Sequence, residues 1–322
     1  MSTNSKLKIA MYWASSCGGC DISLLEIGSR VLDLIEIADL AFWPCVADFK
    51  YKDVLAYPDG FLDLCFYNGG VRNTEQEEVA RLLRQKSKTL VAYGSCAGDG
   101  GIPALANFTT PEEIFRVVYQ DNPSTENPEA CIPSPDVLTP CGHVHIPAFY
   151  PAVLRLKDIV PVDYEIPGCP PNAARVWESI QALVSGALPP RNQAIRVGCF
   201  DKTVCDECPR EKRQVRIKQF HRHHELRPEP GWCLLEQGIL CMGPVTRSGC
   251  GALCLRCDMR CEGCYGPPPA VRDQATAMIG ALGTLLDATT EEHAHQLVSQ
   301  IADPTGTFYR FSMASGTMKV HR

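Results

Sequence analysis

Cysteine is the residue type whose number and spacing can do chemistry here: there are eighteen in 322 residues. A C-x-x-C pair stands in Ser15-Ser16-Cys17-Gly18-Gly19-Cys20, Cys96 in Gly94-Ser95-Cys96-Ala97-Gly98, and Cys169 in Pro167-Gly168-Cys169-Pro170-Pro171. Farther on come Cys205-Asp206-Glu207-Cys208, then Cys233 and Cys241, then Cys250, Cys254, Cys257, Cys261 and Cys264. Four converging thiolates suit zinc or an iron–sulfur cluster equally well by ligand count. A lone C-x-x-C at a strand–helix junction also suits a thioredoxin-like redox pair, a reading weakened by Cys96 and Cys169. The nine cysteines from Cys205 to Cys264 are one more than two four-thiolate centres need. A zinc ribbon built on two C-x-x-C motifs would leave five of them without a role.

The elements that must position these thiols read as alternating strands and helices over the first ~190 residues. Strands are expected at Lys8–Trp13, Ala38–Trp43, Asp63–Tyr67, Leu90–Tyr93 and Asp163–Ile166. Helices are expected from Asp21, a candidate N-cap, through Leu24, Ile27, Val31 and Leu34, and at Glu75–Arg84, Pro111–Val118 and Pro170–Ser185. Pro170 and Pro171 suit the first turn of the last of these, and Pro123–Pro140 reads as loop. The expected fold class is α/β: a flavodoxin-like doubly wound parallel sheet, followed by a cysteine-rich, cluster-organised domain with little regular structure. In such a sheet the carboxyl ends of the strands share one edge, so Cys17, Cys20, Cys96 and Cys169 would meet there. The character changes after Leu188-Pro189-Pro190, giving expected domains of 1–190, 191–267 and a helical extension over 268–322. The middle one is too small to rely on an apolar core alone and needs metal centres to organise it.

Composition narrows the function classes. A net charge of −6 speaks against nucleic acid or an anionic membrane surface as the main partner. No apolar run approaches a membrane span, and the first residues carry no signal region, so a cytoplasmic location is expected. Thiols stay reduced in that compartment, which favours metal binding over a disulfide framework. There is no G-x-G-x-x-G after the first strand and no P-loop, so nucleotide binding has no support.

Ser16-Cys17-Gly18-Gly19-Cys20, Gly94-Ser95-Cys96, Gly168-Cys169-Pro170-Pro171 and the block from Cys233-Leu234-Leu235-Glu236-Gln237-Gly238 to Cys250-Gly251-Ala252 together resemble the small subunit of [NiFe] hydrogenases. The likeness is to the cytoplasmic methyl-viologen-reducing (F420-non-reducing) type and runs to about Pro267. It implies an electron-transfer subunit with three [4Fe–4S] clusters and no catalytic residue of its own. Cys17, Cys20, Cys96 and Cys169 would hold a proximal cluster facing a large subunit that carries a NiFe(CN)2CO centre. Cys250, Cys254, Cys261 and Cys264 would hold a medial cluster, and Cys205, Cys208, Cys233 and Cys241 a distal one. Cys205 stands where periplasmic relatives have histidine. Met259-Arg260-Cys261-Glu262-Gly263-Cys264 departs from the relatives' Met-Pro-Cys-Arg-Gly-Cys, which leaves the choice between Cys254 and Cys257 open. The implied acceptor is a downstream iron–sulfur or flavoprotein subunit, of heterodisulfide-reductase-like kind by analogy. The alternatives are a complex I-like iron–sulfur subunit, whose family has adjacent cysteines where Cys17 and Cys20 are spaced by two, and a zinc-organised scaffold.

The remaining chemistry-bearing residues have plainer readings. Cys45, Cys65, Cys131, Cys141 and Cys199 lack ligand partners at sensible spacing and read as structural thiols. His221, His223 and His224, beside Arg222 and Lys218, read as a solvated basic face rather than a metal site. Glu26 reads as a surface carboxylate.

Overall fold

The computed structural model describes residues 6–188 and 194–318; Pro189 and Pro190, where the sequence changes character, lie outside the described residues. Ten strands occur in these segments: β1 (Leu7–Trp13), β2 (Ala38–Phe42), β3 (Leu64–Asn68), β4 (Val71–Asn73), β5 (Leu90–Tyr93), β6 (Asp136–Thr139), β7 (Gly142–His145), β8 (Phe149–Leu154), β9 (Tyr164–Ile166) and β10 (Ile195–Arg196). Six form one sheet in the order β10-β9-β5-β3-β1-β2, with every pairing parallel. Leaving out the edge strand β10, this is the 2-1-3-4-5 order of flavodoxin-like folds, with its switch point between β1 and β3.

The sheet forms because its strands are apolar on both faces. Ala10 and Tyr12 of β1, Cys65 and Tyr67 of β3, and Leu90 and Ala92 of β5 fall in one hydrophobic cluster. Their alternate neighbours Ile9, Met11, Leu64, Phe66, Val91 and Tyr93 fall in another. That two-sided burial is what a parallel sheet covered by helices requires. A third cluster gathers Val204, Leu234, Ile239, Val245, Leu255, Met278, Leu282 and Phe308, and takes in Ala104 and Val153 from the first part of the chain.

Four local expectations are corrected. The helical pattern from Asp21 is two helices, Gly19–Leu25 and Arg30–Ile37, because Gly28 turns to φ 70° between them. Asp21 is not the cap but a buried tie: its carboxylate accepts from Trp43 Nε1 at 2.8 Å and from Asn68 Nδ2 at 3.0 Å. The helix expected from Pro170 spans Ala173–Ser185, and both prolines precede it after a cis Cys169–Pro170 bond. Its cap is Asn172, whose side chain accepts from Ala174 N at 3.0 Å and Arg175 N at 3.3 Å. Asn172→Ala should therefore lower stability by about 1 kcal/mol in urea denaturation. The segment read as loop contains β6, which pairs with β7 as an antiparallel hairpin.

Candidate metal centres

The register of the sheet brings the cysteine loops together. Trp13 lies opposite Asn68, Asn68 opposite Tyr93, and Tyr93 opposite Ile166, so four strands end on one line. The loops beyond are stitched edge to edge: Ala14 N donates to Asn68 O at 2.9 Å, Gly94 N to Ile166 O at 2.8 Å, and Ser95 N to Gly168 O at 2.8 Å. Cys17, Cys20, Cys96 and Cys169 emerge from those loops as the first set. Burial raises the Cys20 thiol above its usual range, and the nearby charges of Cys96, Cys169 and Cys17 raise it further. Burial likewise pushes Cys96 up to about 12, with Cys169 and Cys17 adding to it and the Ile102 N–H opposing. Cys20 and Cys96 are thus raised by burial and by the charges of their neighbours in the set.

Glycine makes the space between them. A Cβ at Gly94 would stand 2.4 Å from Cys20 Sγ, and one at Gly101 2.6 Å from Cys96 Sγ. Gly94 also holds φ 87°, which side-chain-bearing residues rarely adopt. Gly94→Ala should lower the iron bound at the first set even though every thiol is kept. The check is iron and acid-labile sulfide in the purified complex, with an unchanged content refuting the cradle.

The second set draws on Cys250, Cys254, Cys261 and Cys264. Burial raises the Cys264 thiol, and Cys250, Cys169 and Cys254 add to the rise while the Cys169 backbone N–H opposes it. Cys254 and Cys257, the two candidates for the fourth position, are both exposed. Burial also lifts Cys261, with Cys241 and Cys264 contributing. Ser95 Oγ donates to Cys264 O, tying this loop to the Cys96 loop.

The third set lines a cavity of ≈ 280 Å³ whose walls include Cys205, Cys208, Cys233 and Cys241. Burial pushes Cys205 up to about 11, with Lys212 opposing and Cys233 and Cys208 adding. It pushes Cys241 up to about 12 against the backbone N–H groups of Gly243 and Cys261. Met242 N donates to Cys261 O at 2.9 Å, so the second and third sets share a seam.

These donor sets fit iron–sulfur clusters. Each would offer four soft ligands, several with backbone N–H groups aimed at sulfur, and the glycines leave open volume for a bulky centre. Raised thiol pKa values mean that ligation must displace protons, as it does whenever a buried thiol becomes a metal ligand. Among the described residues no three Cys, His, Asp or Glu side chains converge closely enough to hold a single metal ion.

Residues outside the three sets agree with expectation in part. Cys65 is buried as expected, but Cys45, Cys131 and Cys141 are exposed. Glu26 is exposed. His224 and Arg222 are exposed, as a basic face implies, and with half-buried His221 and His223 they line a cleft of ≈ 220 Å³ that also takes in Arg260 and Arg310. Two arginines that hold the cysteine loops have no sequence signal beyond being arginines. Arg210 donates to Trp232 O at 2.9 Å, beside Cys233, and to Leu255 O at 3.1 Å, beside Cys254. Arg196 donates to Glu165 at 2.9 Å and to Tyr265 O, beside Cys264, at 3.1 Å, and pairs with Asp99.

Comparison with known proteins places this arrangement. A family model described as NADH ubiquinone oxidoreductase, 20 Kd subunit, matches residues 17–183. The F420-non-reducing hydrogenase iron-sulfur subunit of Archaeoglobus profundus is 40% identical over 95% of this chain and 96% of its own length. Its counterpart in the F420-non-reducing hydrogenase of Methanothermobacter thermautotrophicus is 35% identical, covering 98% of each. A chain of an NAD+-reducing [NiFe]-hydrogenase in the H2-reduced state superposes with TM-score 0.50 and 32% identity, spanning 58% of this chain and 95% of that one. A chain of the Ni-Fe-Se hydrogenase from Desulfomicrobium baculatum, at 19% identity and TM-score 0.52 over 82% of this chain and 95% of that one, shares the fold. The chain belongs to the family of hydrogenase iron–sulfur small subunits, and its residues 17–183 match the ubiquinone oxidoreductase 20 kDa subunit family. Within it, the likeness over nearly the whole length is to the F420-non-reducing type.

Proposed function

We propose that this chain is the electron-relay subunit of a cytoplasmic [NiFe] hydrogenase, with its three thiol sets serving as proximal, medial and distal sites in the order first, second, third. The observation that carries the reading is serial contact. The Cys169 N–H of the first set meets the sulfur of Cys264 in the second, and Cys261 of the second meets Cys241 of the third. Three [4Fe–4S] clusters bound there would supply one-electron steps from hydrogen oxidised at the partner's NiFe centre to an acceptor.

The chain's own residues do the rest. Cys17 is exposed at the sheet edge while Cys20 and Cys96 are buried, so the first site opens on one side and excludes water on the other. Ile22, Leu25, Leu32, Ile35 and Ile37 are exposed on the two helices following Cys17. That apolar surface beside the first set suits a permanent interface with a large subunit, which typically buries more than about 2,000 Å². At the far end Lys212 and Arg210 line the cavity of the third set, where an iron–sulfur or flavoprotein acceptor, of heterodisulfide-reductase-like kind by analogy, would dock. Domain limits of 1–190, 191–267 and 268–322 belong to the same reading. No described helix is long and apolar enough to cross a membrane.

Anaerobic purification with whatever binds the chain tests the proposal. We expect about twelve irons and about twelve acid-labile sulfides per chain, with nickel present only where a second polypeptide is. Zinc without sulfide would end it.

A further inference from the structure

Glu207 lies between Cys205 and Cys208 of the third set, yet its carboxylate turns to the loop of the second. Gly249 N donates to both of its oxygens at 3.1 Å, and Ala252 N to Oε1 at 3.2 Å. The Cys250 sulfur lies 3.5 Å from Oε1. The loop so held is difficult to form. Gly249 takes φ 129°, Gly251 φ 71° and Ala252 φ 53°, the last a conformation that residues with a side chain seldom adopt. Gly249 is further confined, since a Cβ there would stand 2.7 Å from Cys199 Cα. In Glu207's own set the strongest influences on Cys205 are burial, Lys212, Cys233, Cys208 and Asp206.

We infer that Glu207 is a positioning residue for the medial site: its carboxylate fixes the Gly249–Ala252 turn that presents Cys250, and its negative charge beside that sulfur lowers the potential at which the medial cluster takes an electron. The inference rests on the relay reading above. Charge near an iron–sulfur cluster and hydrogen bonding around its sulfurs are the two levers by which a protein sets cluster potential. A fixed anion this close to the sulfur raises the energy of adding an electron there. The two N–H donors hold the carboxylate in place but do not cancel its charge. Because Glu207 belongs to the third loop and grips the second, it also fixes the geometry between the two sites.

The test uses the assembled complex carrying Glu207→Gln or Glu207→Ala, with iron and sulfide analysis and a redox titration followed by electron paramagnetic resonance. Glutamine keeps the shape and one amide oxygen for the turn. It should retain wild-type iron, shift the medial midpoint to a higher potential and leave the proximal one in place. Alanine removes the clamp and should lose about a third of the iron, the share of one cluster in three. A Glu207→Gln complex with full iron and an unshifted medial midpoint would overturn the charge role. A Glu207→Ala complex with full iron would overturn the positioning role. If the wild-type complex itself lacks iron and sulfide, it is the relay reading that fails.

Discussion

Replacing Cys169 with alanine should slow hydrogen-dependent viologen reduction by the assembled complex ~100-fold or more, since even the outer partners of metal ligands cost 10–100-fold when removed. The residue stands where the first and second sets meet. Its sulfur faces Cys17 and Cys20, and its backbone N–H reaches the sulfur of Cys264. Alanine removes the first and keeps the second, so the loss should fall on the proximal site: about four irons fewer of about twelve, with the other two sites intact. Cys131→Ala is the matching control. Cys131 is exposed and belongs to none of the three sets, so iron content and rate should stay at wild type. Equal effects of the two substitutions would mean that the first set is not part of the electron path.

Arg196→Met should destabilise the chain by about 3–5 kcal/mol, the cost of removing one partner from a buried ion cluster. Arg196 pairs with Asp99 and with Glu165 at 2.9 Å, and donates to Tyr265 O at 3.1 Å. Asp99 and Glu165 are 3% and 2% exposed, so methionine would strand two buried carboxylates, with Lys157 at 2.7 Å left to answer Glu165. Burial alone would lower the arginine's pKa, but Asp99 and Glu165 reverse that and raise it, so its charge is secure. The urea midpoint should fall, and iron at the second set should fall with it because Tyr265 follows Cys264. Arg196→Lys should not rescue either loss, since an ammonium cannot spread over three acceptors as a guanidinium does. A midpoint within about 1 kcal/mol of wild type would show the cluster to be ornamental.

The contrast between what is legible in the sequence and what is not follows sequence distance. The five expected strands of the sheet are all present, because Ile9, Met11, Leu64, Phe66, Val91 and Tyr93 alternate with equally apolar neighbours and leave no other packing. The meeting of Cys17, Cys20, Cys96 and Cys169 follows from topology alone, since each trails a strand. Gly28 breaks the first helix, which apolar spacing by itself does not reveal. The β6–β7 hairpin carries no readable pattern because its apolar residues, Val137, Leu138 and Val144, are exposed and leave no buried period. Arg196 and Glu207 are invisible for a different reason. Their partners lie 97 and 42–45 residues away, at Asp99 and at Gly249 and Ala252, and no local pattern marks either end.

The fastening of Cys264 by Ser95 and Cys169 also fixes a chronology. Cys250, Cys254, Cys261 and Cys264 are neighbours in sequence and can close quickly as a loop. The groups that lock Cys264 belong to turns after β5 and β9, which exist only once distant parallel strands have paired, the slow kind of folding event. The loop can close early, but its locking by Ser95 and Cys169 is expected only once the slower sheet is complete. In hydrogen exchange during refolding, the amides of β5 and β9 should gain protection before those around Cys264. In this order of events the sheet would set when the Cys264 loop locks as well as where it sits.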